Sequence, residues 1–297
     1  MDLWHAIGEE LGRCLGRRLA LRAPRTLGGG CINRAFRVED AASGEAFFVK
    51  LNQADRLDMF AAEAAGLEAI LETGTLRAPR PLARGVAGDQ AWLALEYLPF
   101  GHGGRGAMAR LGEGLAAMHR ATAARFGWHR DNTIGATPQP NPWTDDWPDF
   151  WREHRLGHQL ALAARNGHGG ELQRLGEAVM ERVPALLAGH RPRPSLLHGD
   201  LWSGNQGVLE DGTPVIFDPA VYYGDREADL AMTELFGGFG AEFQAAYRAA
   251  WPLEPGYALR RTLYNLYHIL NHLNLFGGGY LGQALAMCEQ LLAATRG

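Results

Sequence analysis

The segment Leu196-Leu-His-Gly-Asp-Leu-Trp-Ser-Gly-Asn205 sets an aspartate, Asp200, five positions ahead of an asparagine, Asn205, in a polar loop entered from apolar residues. After a turn at Asp211-Gly212, the run Val215-Ile-Phe-Asp218 delivers a second aspartate. Phosphoryl transfer needs one carboxylate to accept or orient a hydroxyl proton, and oxygen ligands to hold magnesium across the phosphates. Asp200 suits the first task, Asn205 and Asp218 the second. A polar turn capping a strand would explain HGD or FDP taken alone; the order and spacing of the three residues together favour chemistry.

A second group points the same way. Of 29 basic residues only Lys50 is lysine, which leaves 28 arginines. Arginine cannot replace lysine where a compact point charge must enter a narrow phosphate site. Lys50 ends a β-rich run in which alternation turns Phe47 and Val49 to one face and Phe48 and Lys50 to the other. Glu63 shares a helical stripe with Phe60, Leu67 and Ile70, so its carboxylate points inward and needs a counter-charge. Lys50 can supply it; a solvated surface lysine is the plainer alternative.

Leu27-Gly-Gly-Gly-Cys-Ile-Asn33 lies between β-like runs, where Gly28, Gly29 and Gly30 would let backbone amides approach phosphates, with Asn33 in place of the third glycine of G-x-G-x-x-G. A simple glycine turn explains it equally well. Leu93-Ala-Leu-Glu-Tyr-Leu-Pro-Phe fits a strand whose end, at Glu96, Tyr97 and Leu98, would offer backbone hydrogen bonds to an adenine; an ordinary edge strand is the alternative.

The elements that must position these residues follow from periodicity. Residues 2–20 read as an amphipathic helix, Thr26–Val38 and Ala46–Leu51 as a hairpin turning at Asp40–Gly44, Arg56–Leu71 as a helix, and Arg80–Val86 and Ala91–Glu96 as strands. Pro99-Phe-Gly marks a boundary, giving an N-terminal lobe over 1–98 and a C-terminal lobe over 99–297. From Ala107 helical patterns dominate, interrupted by a Pro- and Trp-rich stretch at 137–151 and by short β-like runs at 195–218. Trp143, Trp147 and Trp151, four apart, would share a helical face, either as an aromatic wall for a ligand or as core. Asp229, opening an apolar run, reads as a helix cap or loop brace, and His198 as a structural member of its loop.

The chain has 297 residues, 46% hydrophobic and 21% charged, with a formal net charge of −4 and scattered basic residues, so nothing marks a nucleic-acid partner. No stretch approaches the roughly 20 apolar residues of a membrane span. Cys14, Cys31 and Cys288 form neither a disulfide framework nor a zinc-type pair, which suits a reducing, cytoplasmic setting.

Taken together, GGGCIN, FFVK, AAEAAGL, LALEYLPFG, HGDLWSGN and FDPAVYYGDREADLAM resemble the fructosamine-3-kinase (ketosamine kinase) family, relatives of aminoglycoside and choline kinases, over nearly the whole chain. HGDxxxxN marks the wider group; Trp202 and the YYGDREADLAM continuation narrow it. The resemblance implies an α+β, two-lobed protein-kinase-like fold with a small antiparallel-sheet lobe and a larger, mostly helical one. It also implies ATP- and Mg2+-dependent phosphorylation of the 3-hydroxyl of ketosamines, small-molecule or protein-bound, as a step in deglycation. Lys50, Glu63, Asp200, Asn205 and Asp218 keep the roles argued above, Trp202 would lie beside the sugar, and Trp147 and Asp225 are further substrate candidates. Cys31 stands where some members carry a redox-sensitive cysteine, and a monomer or weak homodimer is expected. The rival readings are a kinase of the same fold for an aminoglycoside or amino alcohol, with Asp145, Asp146 and Asp149 as an acidic patch for a cationic substrate, and a catalytically inactive nucleotide-binding regulator.

Overall fold

The computed structural model describes residues 2–28, 32–101 and 103–295; the expected loop residues Gly29 and Gly30, and Cys31 with its redox reading, lie outside them. Two compact units emerge, Met1–Ala107 with Gly207–Asp218, and Met108–Gln206 with Pro219–Gly297.

The first unit opens with α1 (Leu3–Leu15), which stops well short of the expected residue 20. Gly16 takes φ 69°, and the N–H groups of Gly16 and Arg17 close on the carbonyls of Arg13 and Gly12, a left-handed cap that ends the helix. Strands β1 (Leu21–Leu27), β2 (Arg34–Asp40) and β3 (Ala46–Gln53), helix α2 (Leu57–Glu72), and strands β4 (Pro81–Ala87) and β5 (Gln90–Glu96) follow. The strands form an antiparallel sheet in the order β1-β2-β3-β5-β4. Strand β1 was not expected. It is an edge strand carrying Pro24 and a register shift between Arg22 and Arg25, and both features blur a strand pattern. Ile7 and Leu11 of α1 bury against Val38 of β2, Phe47, Val49 and Leu51 of β3, and Trp92 and Ala94 of β5, the sheet face that carries the odd-numbered residues of β3. Lys50 is thereby turned to the opposite face, where α2 buries Phe60, Leu67 and Ile70.

The second unit is mostly helical. It runs through α3 (Ala107–Met118), the short hairpin β6 (Asn132–Ile134) and β7 (Thr137–Gln139), α4 (Trp147–Phe150) continuing as a wider π-type turn over Trp151–Gly157, α5 (His158–Arg165), α6 (Glu171–Leu186) and β8 (Ser195–Leu197). The chain then forms the hairpin β9 (Gln206–Val208) and β10 (Pro214–Ile216), and returns as β11 (Tyr222–Gly224), α7 (Glu227–Leu235), α8 (Ala241–Ala250), α9 (Tyr257–Phe276) and α10 (Leu281–Ala294). Among the described residues no helix is long and apolar enough to cross a membrane, and Cys14 and Cys288 are free thiols.

Residues 99–107 and 207–218, which the sequence reading placed in the second lobe, cluster with the first unit. Backbone bonding explains this. The Gly101 N–H donates to the Val208 carbonyl at 2.9 Å and the Ile216 N–H to the Arg77 carbonyl at 3.0 Å, while Phe100 and Phe217 pack at 5.5 Å between ring centroids. Asp218 is thus delivered to the unit that holds Lys50.

Candidate active site

In the first unit the Lys50 ammonium lies 2.6 Å from Glu63 Oε1 on α2 and 2.6 Å from Asp218 Oδ1. Lys50 is 5% exposed. Burial opposes its charge, but the Asp218 and Glu63 carboxylates outweigh burial and hold its pKa above the ordinary lysine value. Glu63 is raised as well: burial disfavours its charge, and repulsion from Asp218 adds to burial against the attraction of Lys50. One cation therefore serves two carboxylates, and the trio carries one excess negative charge. The Asp218 side chain remains 47% exposed. Its φ of 55° is the only positive value among the described non-glycine residues, a strained geometry of the kind that collects at functional sites.

In the second unit Asp200 and Asn205 belong to the loop after β8. Asn205 Nδ2 donates to the Asp200 carbonyl at 2.9 Å and to Asp200 Oδ2 at 3.2 Å, so its Oδ1 is the oxygen left to serve a cation. Behind the loop, Asp229 of α7 accepts the His198 N–H at 2.7 Å and the Gly199 N–H at 2.9 Å, which makes it the brace its sequence position suggested. His119 Nε2 joins the same carboxylate at 3.0 Å, and His119 Nδ1 meets the Tyr247 hydroxyl at 2.8 Å. Burial alone would push the Asp229 carboxyl up; the His119 bond, the charges of His119 and His198 and the Gly199 amide outweigh it and hold it below its usual range. Gly199 must be glycine, since at φ 83° a Cβ would lie 2.0 Å from the Ala220 carbonyl oxygen. His198 Nδ1 accepts the Asp200 N–H at 3.2 Å, which commits that nitrogen to shaping the loop rather than to accepting a substrate proton.

A family model for fructosamine kinase matches residues 3–294. The chain belongs to the fructosamine kinase family. A Synechocystis protein named as a probable ketoamine kinase is 52% identical over 290 residues, covering 97% of each chain. The chloroplastic protein-ribulosamine 3-kinase of Arabidopsis thaliana is 44% identical over 270 residues, covering 90% of this chain and 82% of that one. A crystal structure designated fructosamine-3-kinase, from Haemophilus somnus 129PT, superposes with a TM-score of 0.90 at 29% identity, covering 98% of both chains. An aminoglycoside phosphotransferase and a Streptococcus pneumoniae choline kinase, at TM-scores of 0.64 and 0.63 and under 20% identity, share the fold alone. The architecture is thus the α+β protein-kinase-like fold expected for the family.

Within this family member two expected substrate contacts are corrected. Trp147 is 2% exposed, packed between Phe126, Phe150, Trp151 and Tyr264 rings, with its indole N–H on the Tyr264 hydroxyl at 3.0 Å; it is core, with no face left for a ligand. Helix α4 begins at Trp147 under an Asp146 cap, so Trp143 lies before the helix, 38% exposed and stacked on Tyr223. Asp225, 1% exposed, accepts from Tyr264 and lies 2.6 Å from His190, so it braces rather than contacts substrate. Trp202 stays 38% exposed beside Asp200.

The remaining expectations divide. Asn33 accepts from Asn52 of β3 at 2.7 Å, tying one end of the glycine loop to the strand of Lys50, and Gly28 stands in open space. The Glu96 side chain pairs with Arg77, the Tyr97 ring lies under the Arg37 guanidinium at 5.0 Å, and Leu98 is buried, so in this segment only backbone groups suit an adenine. The supports at His119 and Tyr247 escaped sequence reasoning. His119 ends the apolar stripe of Leu111, Leu115 and Met118, the one local hint that it turns inward.

Proposed function

We propose that the protein is an ATP- and Mg2+-dependent kinase that phosphorylates the 3-hydroxyl of ketosamines, free or on proteins, and so starts their removal. The carrying observation is the Lys50 ammonium held by Glu63 and Asp218, in a chain whose relatives are named for ketoamines and protein ribulosamines. Lys50, fixed by Glu63, would meet the α- and β-phosphates of ATP. Asp200, fixed by Asn205 and the braced loop, would accept or orient the proton of the attacking hydroxyl. Trp202 offers an apolar face to the sugar.

Magnesium suits the donors present. Asp218 is a half-exposed carboxylate in a trio with excess negative charge, and Asn205 keeps an oxygen available, the hard-oxygen set this ion prefers. Held by such oxygens, the ion would neutralise charge on the phosphates during transfer. The acidic patch of the antibiotic-kinase alternative is partly paired: Asp145 meets Arg125 and Asp149 meets Arg152, both at 2.9 Å at the surface, and Asp146 caps α4.

Magnesium-dependent ADP release by the purified protein, with ribulosamine and fructosamine derivatives of lysine, an aminoglycoside and choline as acceptors, tests this reading. Turnover with the ketosamines alone is expected. Turnover with the aminoglycoside or choline instead would replace the substrate class, and silence with every acceptor would favour a nucleotide-binding regulator.

A further inference from the structure

The second unit holds a cavity of about 310 Å³ that the proposed chemistry does not use. Four arginines line it: Arg120, Arg191, Arg193 and Arg226. Ser195, which opens β8, lines it too, so the cavity lies at the opposite end of that strand from the Asp200 loop.

Arg226 is held rigidly. It is 7% exposed, donates to the carbonyls of Trp251 at 3.3 Å and Pro252 at 2.6 Å, and stacks on the Trp251 ring at 4.2 Å. Arg120 packs over the same indole at 4.9 Å, so two guanidinium groups converge on one ring. Among the described residues none of the four arginines has a carboxylate partner. Two carboxylates, Asp225 and Glu254, also line the cavity, and both are engaged by His190, whose Nε2 lies 2.6 Å from Asp225 and Nδ1 2.8 Å from Glu254, so the four arginines outnumber them. The Ser195 side chain, 1% exposed, has no hydrogen-bond partner for its hydroxyl among the described residues. A buried orphan hydroxyl costs stability unless something occupies it. The neighbouring cluster of His190, Asp225 and Glu227 is no rival metal centre, because Arg260 already holds both Glu227 oxygens at 2.6 and 3.0 Å.

We propose that this cavity binds a phosphate-type dianion, either inorganic phosphate or the phosphoester group of a small metabolite, at a site separate from the transfer chemistry. Guanidinium forks match phosphate oxygens in pairs, and the Ser195 hydroxyl adds a donor. The volume suits a small ligand.

Calorimetric titration of the full-length protein tests this, with inorganic phosphate and ribose 5-phosphate as separate ligands at fixed ionic strength. A saturating non-hydrolysable ATP analogue with magnesium keeps the nucleotide site filled. One-to-one binding of at least one ligand is expected. Phosphate matching the sugar ester would identify the dianion as the whole determinant, and tighter binding of the ester would identify a metabolite site. Arg191→Ala/Arg193→Ala, a change at two exposed positions, should weaken binding by about tenfold or more. Ser195→Ala should weaken it too, while leaving the ligand-free Tm unchanged or raised, because the orphan hydroxyl is gone. Absence of binding by either ligand up to about 10 mM, or affinity unchanged in both variants, would overturn the proposal.

Discussion

The two units hold their functional side chains by different physics. In the first, Lys50, Glu63 and Asp218 hold one another by charge: a buried ammonium between two carboxylates, one of them half exposed. In the second, Asp200 and Asn205 sit in a loop whose backbone is pinned from behind by one buried carboxylate, Asp229, itself held by His119, which the Tyr247 hydroxyl meets at its other ring nitrogen. A charge trio is adjustable, since a ligand can take one member and leave the others paired. A loop fixed through main-chain amides offers a single geometry, which is what orienting a hydroxyl proton needs. Changes in the first unit should therefore be felt in nucleotide binding and stability, and changes in the second in turnover.

The sharpest way to break that division is Asp200→Ala. Turnover should fall by about 10³, the range of a lost general base, with ATP affinity within about twofold of the parent. Parallel loss of both in equilibrium binding and steady-state assays would mean the loop also shapes the nucleotide site. Lys50→Met is next. It strands Glu63 in the interior beside Asp218, so urea denaturation should show a loss of about 3 kcal/mol together with weakened ATP binding. Lys50→Arg should not restore binding, because a guanidinium fork is not a point charge. Asp229→Asn should cost about 2 kcal/mol, since an amide can accept only one of the His198 and Gly199 N–H groups well. Turnover should fall with it; unchanged turnover at the lower stability would separate the brace from the geometry of Asp200.

The residues of the charge trio were legible because each carries its own local signal: a lone lysine at a strand end, a glutamate on an apolar helical stripe, an aspartate after a β-like run. Asp200 and Asn205 were legible through spacing alone. What failed was anything decided by burial across long sequence separations. Trp147 and Asp225 read as substrate contacts because aromatic and acidic residues near a motif look the same whether they face a ligand or a core; Tyr264, over a hundred positions away, takes Trp147, and Tyr264 with His190 takes Asp225. His119 lies 110 positions from Asp229, and no periodicity links them. Helix α1 was overextended because the apolar stripe continues while Gly16 turns left-handed.

The smallest expected effect concerns His268 on α9, in the second unit. It is 3% exposed, its Nδ1 has no partner among the described residues, and burial, helped by the charge of His272, lowers its pKa to about 3. The sign follows from proton counting. Between that value and about 6.5 the unfolded chain holds a proton on this histidine that the folded chain does not, so stability falls as pH falls through the window. One such group changes stability by at most about 1.4 kcal/mol per pH unit. Urea denaturation at pH 7, 6 and 5 should show the parent losing stability toward pH 5, and His268→Phe, which cannot take up the proton, losing less. In the charge trio of the first unit burial raises the Glu63 pKa, the opposite direction to His268, so this carboxyl opposes a loss of stability on acidification and Glu63→Gln should not flatten the slope between pH 7 and 6. If the Glu63 variant flattens that slope and the His268 variant does not, the acid sensitivity belongs to the trio, and the contrast between an adjustable first unit and a fixed second one would have to be redrawn.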